Sequence, residues 1–256
     1  MSGGVLIVGA RGRVGAALAA AGAVPAPVGL GRAEAAARLA GPSRGELLVF
    51  CGRNDDLGPF LDGLHPSWLD GLCLVQNPSL RAFLDGRGLS GRVTEAVLWA
   101  AFPAVGAPPV PGGPSPVCGP QAAALAALLR AAGVESAGVG AADLAHEQAV
   151  KLGWLHVFGL LGSAFGGTVG ERLAADGPQV DALAREVAPV LAAGFGLRGG
   201  ADALGARLRA YTARVHFFRA SAKEWPWRSG AVFAAAAAQG RALPAAAALA
   251  ARLAPA

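Results

Sequence analysis

The chain has 256 residues, 54% of them apolar, which suits one large or two modest folded domains and excludes an intrinsically disordered protein. Its net charge of +5 comes from arginines scattered along the sequence, with no basic run interleaved with aromatics, which excludes a nucleic-acid partner. Cys51, Cys73 and Cys118 are odd in number and far apart, so they read as reduced thiols in or near strands and not as a metal site or a disulfide framework.

In chain order, the first element is an apolar strand, Val5 to Val8. It runs into Gly9-Ala10-Arg11-Gly12-Arg13-Val14-Gly15 and then an alanine-rich helix. Glycines at every third position between strand and helix are the requirement of a dinucleotide-binding βα turn. Gly9 permits the tight turn, Gly12 lets the backbone approach a pyrophosphate, and Gly15 lets helix and strand pack closely. A second strand, Pro27 to Leu30, ends at Gly31-Arg32. NAD sites place an acid here for the ribose 2′-hydroxyl, whereas an arginine suits a 2′-phosphate, so Arg32 favours NADPH, with Arg11 and Arg13 adding positive field. Read instead as a solvated residue, Arg32 simply opens a helix.

Further strands are expected at Glu46 to Cys51, Leu72 to Gln76, Val93 to Ala100, Pro116 to Cys118 and Val134 to Val139, with a Pro/Gly-rich loop over Phe102 to Pro120 and a helix over Gln121 to Ala132. Beyond about Gly140 the pattern turns to helical periods broken by glycines. The expected fold is α/β: an N-terminal Rossmann-type, doubly wound sheet (1–141) followed by an all-helical C-terminal domain (142–256). The first apolar run is a short strand and not a signal peptide. Leu152 to Gly170 lacks charges, yet it contains His156 and several glycines, which reads as a buried helix and its turn and not as a membrane span. The expected location is the cytoplasm, with no membrane partner and a homodimer left open. The alanine-rich tail from Ala231 reads as packed helix.

Among 22 basic residues only Lys151 and Lys223 are lysine. A buried lysine can exchange its proton near neutrality and an arginine cannot, so Lys151 invites a chemical reading. The alternative is an i,i+4 ion pair with Glu147 on a solvated face. The four histidines show no metal spacing, and His146 reads as a capping or surface residue. Arg53, after the third strand, either reaches cofactor phosphates or is solvated.

Here the chain resembles the ketopantoate reductase family, two-domain NADPH-dependent enzymes with a Rossmann domain followed by a helical one. Gln76-Asn77-Pro78 stands where the family has Gln/His-Asn-Gly, Lys151-Leu152 matches its catalytic Lys-Leu pair, and Glu224-Trp225-Pro226-Trp227-Arg228-Ser229-Gly230 leads to Gly240 and Pro244 in the register of its C-terminal motif. Arg32 falls at the family's 2′-phosphate-binding arginine. The departures are Leu155 and Gly159 where the family has substrate-facing asparagines, Pro78 for the motif glycine, and Ser229 for the later Asn. The segment between the second strand and the Glu46 strand is also short.

The resemblance implies an NADPH-dependent reductase of a small 2-oxo acid or related carbonyl or imine. In it Lys151 donates the proton and Glu224 binds a substrate hydroxyl or ammonium or orients Lys151. Asn77 positions the nicotinamide amide, the substrate or Lys151. On residue type alone Glu224 is equally a surface acid beside Lys223, and Asn77 a strand-end turn residue. The rival function is a non-catalytic NADP(H)-binding regulatory or scaffold protein of the same fold. A short-chain dehydrogenase is excluded, because Tyr211 has Val215 four residues on, where that family needs lysine.

Overall fold

The computed structural model describes residues 3–23, 25–76 and 80–253. Asn77, alone among the candidate site residues, lies outside them. Two units form, Met1–Leu144 and Ala145–Ala256.

In the first unit β1 (Val5–Val8) pairs in parallel with β2 (Pro27–Leu30) on one side and β3 (Leu47–Phe50) on the other. The sheet continues through β4 (Leu72–Leu74) and β5 (Thr94–Ala96) to β8 (Ser115–Cys118) and β9 (Ser136–Gly138). Growth outward from β1 in both directions, with right-handed crossovers, places the crossover helices on opposite faces. The central strands are therefore buried on both sides, which is why Leu47, Leu48, Val49 and Phe50 form an unbroken apolar run. The helices α1 (Arg13–Ala19), α2 (Arg32–Leu39), α3 (Asn54–Asp62), α4 (Arg81–Asp85) and α5 (Ala122–Ala131) connect or flank these strands.

The expected strand Val93 to Ala100 is divided in the structure. β5 stops at Ala96, and β6 (Ala100–Ala101) forms a separate hairpin with β7 (Val110–Pro111). The turn-out is held by Val97 N–H on Pro116 O (3.1 Å) and Trp99 N–H on Ser115 Oγ (2.9 Å). Because a hairpin and not a crossover helix fills this connection, β8 returns antiparallel to β5.

The second unit is helical: α6 (Ala141–Phe165, whose first turn precedes the division between the units), α7 (Val169–Ala175), α8 (Gly177–Phe195), α9 (Ala201–Arg214), α10 (Ser229–Ala238) and α11 (Pro244–Ala251). The helices have local reasons for their ends. Thr168 and Glu171 form a reciprocal capping box at α7, and α8 stops at Gly196 in the left-handed region. The Glu186 carboxylate accepts from Ala245 and Ala246 N–H (2.7 and 3.1 Å) at the start of α11. Residues Ala149 to Leu161 of α6 are buried almost all round, so this is a central helix without a solvent face. No single helix among the described residues is long and apolar enough to cross a membrane.

Candidate active site

The βα turn after β1 has the geometry its glycines require. Gly9 sits at φ +86, and a side chain there would press within 3.0 Å of the Cys51 backbone. A Cβ on Gly15 would collide with the Gly9 carbonyl and with Ala10 Cα, so helix and strand meet in contact. Gly29 on β2 is needed too, because a Cβ there would lie 2.6 Å from the Ala10 methyl. No acid occupies the first turn of α1. This bare backbone cradle fits a pyrophosphate.

β2, β1 and β3 are parallel neighbours, and the candidate cations follow their carboxyl ends: Arg11 and Arg13 after β1, Arg32 as the first residue of α2, and Arg53 as the residue capping α3. All four are exposed. Pairing thus brings to one sheet edge what the sequence separates by more than forty residues. The loop bearing Arg53 is pinned by Gln76, whose Nε2 donates to Phe50 O at 2.8 Å and Gly52 O at 3.3 Å. Glu34 of α2 also belongs to this corner. Its carboxylate accepts from Gly31 N–H at 2.8 Å, and Gly31 also lies beside the Arg11 guanidinium. The corner proposed for the 2′-phosphate therefore contains an acid as well as arginines.

In the second unit Lys151 sits in the middle turns of α6 and is 4% exposed. The expected alternative, an ion pair with Glu147 on a solvated face, does not fit that burial. Glu147 is held by Arg207 of α9 through two hydrogen bonds (3.0 and 2.7 Å), and Lys151 Nζ donates to the Tyr211 hydroxyl at 2.9 Å. Helix geometry decides this, because at Lys151 the central helix offers no solvent to point into. The ammonium lies 4.1 Å from the Tyr211 ring centroid and 5.1 Å from that of Trp154. Trp154 is itself fixed, edge-on to Tyr211 and donating from Nε1 to Thr212 Oγ1 at 2.9 Å. Burial, and then the Arg228 charge, hold the Lys151 ammonium down to about 7.

Tyr211 and Arg228 were missed as site residues. Tyr211 carries a readable signal, since Leu204, Leu208, Tyr211 and Thr212 mark one buried face of α9 at helical spacing.

Glu224 begins a 3₁₀ turn over Trp225–Trp227 and is the sole non-glycine residue at positive φ (47) among those described. Its carboxylate accepts from Arg228 at 2.6 Å, with both side chains largely buried. The strap leading to Glu224 crosses α6 closely. A Cβ on Gly162 would strike the Ala220 carbonyl, Gly159 lies beneath Ser221, and Ala222 N–H donates to Ser163 Oγ at 2.7 Å. The position where the family has its second asparagine is thus roofed by backbone, and Leu155, one turn after Lys151, is half-buried and apolar. Trp225 is 38% exposed and stacks on Phe233, whose ring meets His156 edge-on. His146 has a structural task, its Nδ1 accepting from Arg198 N–H at 3.1 Å. No group of metal-ligating side chains occurs among the described residues.

No family model matches the chain, and no curated protein matches it. Solved structures do. A D-mandelate dehydrogenase with NADH and anilino(oxo)acetate superposes with a TM-score of 0.69 at 12% identity, covering 97% of this chain and 96% of that one. The ketopantoate reductase of Ralstonia eutropha JMP134 gives 0.67 at 18% identity, over 97% and 96%. The 2-dehydropantoate 2-reductase of Porphyromonas gingivalis W83 gives 0.66 at 16% identity, over 97% and 98%. The fold is therefore that of the ketopantoate reductases and their dehydrogenase relatives, Rossmann-type unit first and helical unit second.

Proposed function

We propose that the chain is a divergent ketopantoate-reductase-like enzyme, an NADPH-dependent reductase of a small 2-oxo acid or a related carbonyl or imine, working in the cytoplasm. The observation that carries this reading is Lys151, a lysine enclosed by Tyr211 and Trp154 and held near neutrality, where it can release a proton and regain it. When bound at the glycine turn, NADPH supplies the hydride. The side chains do the rest. Arg32, with Arg11, Arg13 and Arg53 nearby, would hold the phosphates, and Lys151 Nζ would give its proton to the oxygen or nitrogen that gains negative charge. Glu224, fixed by Arg228, would orient substrate or tune Lys151, and Asn77 is assigned to the nicotinamide or substrate by its motif alone.

The NADPH preference rests on Arg32, while Glu34 and the relative with NADH in its structure weigh toward NADH. Apolar Leu155 and roofed Gly159 suit a substrate without the hydroxyl that paired asparagines would bind. The same two positions favour the second reading, an NADP(H)-binding regulatory protein that has lost catalysis. A panel of 2-oxo acids and imines, followed by loss of NADPH absorbance, separates the two. Turnover of any member with purified protein supports the enzyme, and cofactor binding without turnover supports the regulator.

A further inference from the structure

A buried amine that cycles between ammonium and amine must keep a hydrogen-bond partner in both states. A carboxylate or a carbonyl only accepts, so it favours the ammonium and leaves the amine lone pair bare. A hydroxyl both accepts and donates. Lys151 Nζ donates to such a hydroxyl, that of Tyr211 at 2.9 Å, and Tyr211 is buried. The phenol is held in place, because the Trp154 and Tyr211 rings meet edge to face at 5.0 Å between centroids and Trp154 is tied to Thr212 one residue further along α9.

We propose that Tyr211 is the positioning residue of Lys151, its hydroxyl accepting from the ammonium and turning to donate to the amine once the proton has left. The inference rests on the reading of Lys151 as proton donor. In that step the carbonyl π bond would break as its carbon takes the hydride that bound NADPH would supply and its oxygen takes the proton of Lys151, whose N–H bond breaks. The substrate gains two electrons, NADPH loses them, and water returns the proton to Lys151. Tyr211 stays protonated throughout, because burial raises its own ionisation well above the lysine's. The charged groups near Lys151 include Arg228 at the start of α10, paired with Glu224, and Glu147 one turn back on α6, engaged by Arg207 of α9.

The chain has two lysines and one tyrosine, so selective labelling resolves both members of the pair. With ¹³C-lysine, exposed Lys223 serves as internal reference for Lys151. In Tyr211→Phe, which keeps the ring and its packing, the loss of the oxygen that accepts from the ammonium is expected to lower the Lys151 midpoint by about one pH unit. An unmoved midpoint overturns the proposal. With ¹³Cζ-tyrosine in the unaltered protein, Tyr211 is expected to show an inflection at the lysine's midpoint with its phenol still protonated. A flat trace overturns the proposal without recourse to any variant. Both readings are independent of turnover, so a protein that reduces no 2-oxo acid, carbonyl compound or imine would refute the proposed function and leave the pair to be judged alone. With an active substrate, the variant should lose more rate at pH 8 than at pH 6 and keep its NADPH affinity.

Discussion

The Arg228 guanidinium donates to the Glu224 carboxylate at 2.6 Å, so the acid at the strained start of the 3₁₀ turn is already neutralised, and the arginine's field still reaches Lys151. Removing that field should stabilise the ammonium. In Arg228→Leu the Lys151 midpoint is expected to rise by about one pH unit. If reduction uses protonated lysine, the pH at which the rate falls on the alkaline side should rise with it. A lysine titration unchanged by this substitution would show that Arg228 does not act on Lys151.

If Lys151 is the donor, Lys151→Ala should leave NADPH binding nearly intact and lower turnover by roughly 100-fold or more. Lys151→Arg should not restore it, since a guanidinium holds its proton too tightly. Full activity in the arginine variant would reduce the lysine to a charge.

The same burial makes Lys151 a stability liability with a defined sign. Its ammonium is held down to about 7 from the usual 10.5, so between those values the unfolded chain binds more protons than the folded one. The penalty is full below pH 7 and fades as pH rises through that window. Lys151→Met is expected to raise Tm at pH 7, with the gain shrinking by pH 10 in thermal melts.

His156 has no exposed surface and neither ring nitrogen has a partner, and burial pushes its imidazole down to about 4 from 6.5. Stability should therefore fall as pH drops from about 6.5 to about 4, by something on the order of 3 kcal/mol. Denaturant titrations across that range should show a shallower fall in His156→Leu. Equal slopes in the two proteins would mean that the imidazole is not neutral when folded.

At the sheet edge, Arg32→Ala should weaken NADPH by roughly 1.5–3 kcal/mol and NADH far less. Glu34→Gln should shift preference further toward NADPH, since it removes a carboxylate from the same corner. Calorimetry with both cofactors tests the pair, and equal wild-type affinities would remove Arg32 from a phosphate-binding role.

What the sequence determined by itself is the set of features that depend on local backbone demands. Gly9, Gly12 and Gly15 could be read because a tight turn and a strand–helix contact each need a missing side chain at a fixed spacing, and the structure shows those contacts. The alternation of short strands and helices similarly announced the parallel sheet. Tertiary structure alone decided the surroundings of the lysine. Tyr211 lies sixty positions from Lys151 and Thr212 fifty-eight from Trp154, and only the packing of α9 on α6 joins them. It also decided that Glu147 pairs across helices with Arg207, and that Gly159 and Gly162 serve a crossing strap. The physical reason is burial. Spacing says which residues share a helix face, whereas the desolvation that moves a lysine toward neutrality comes from neighbours that the chain supplies from elsewhere.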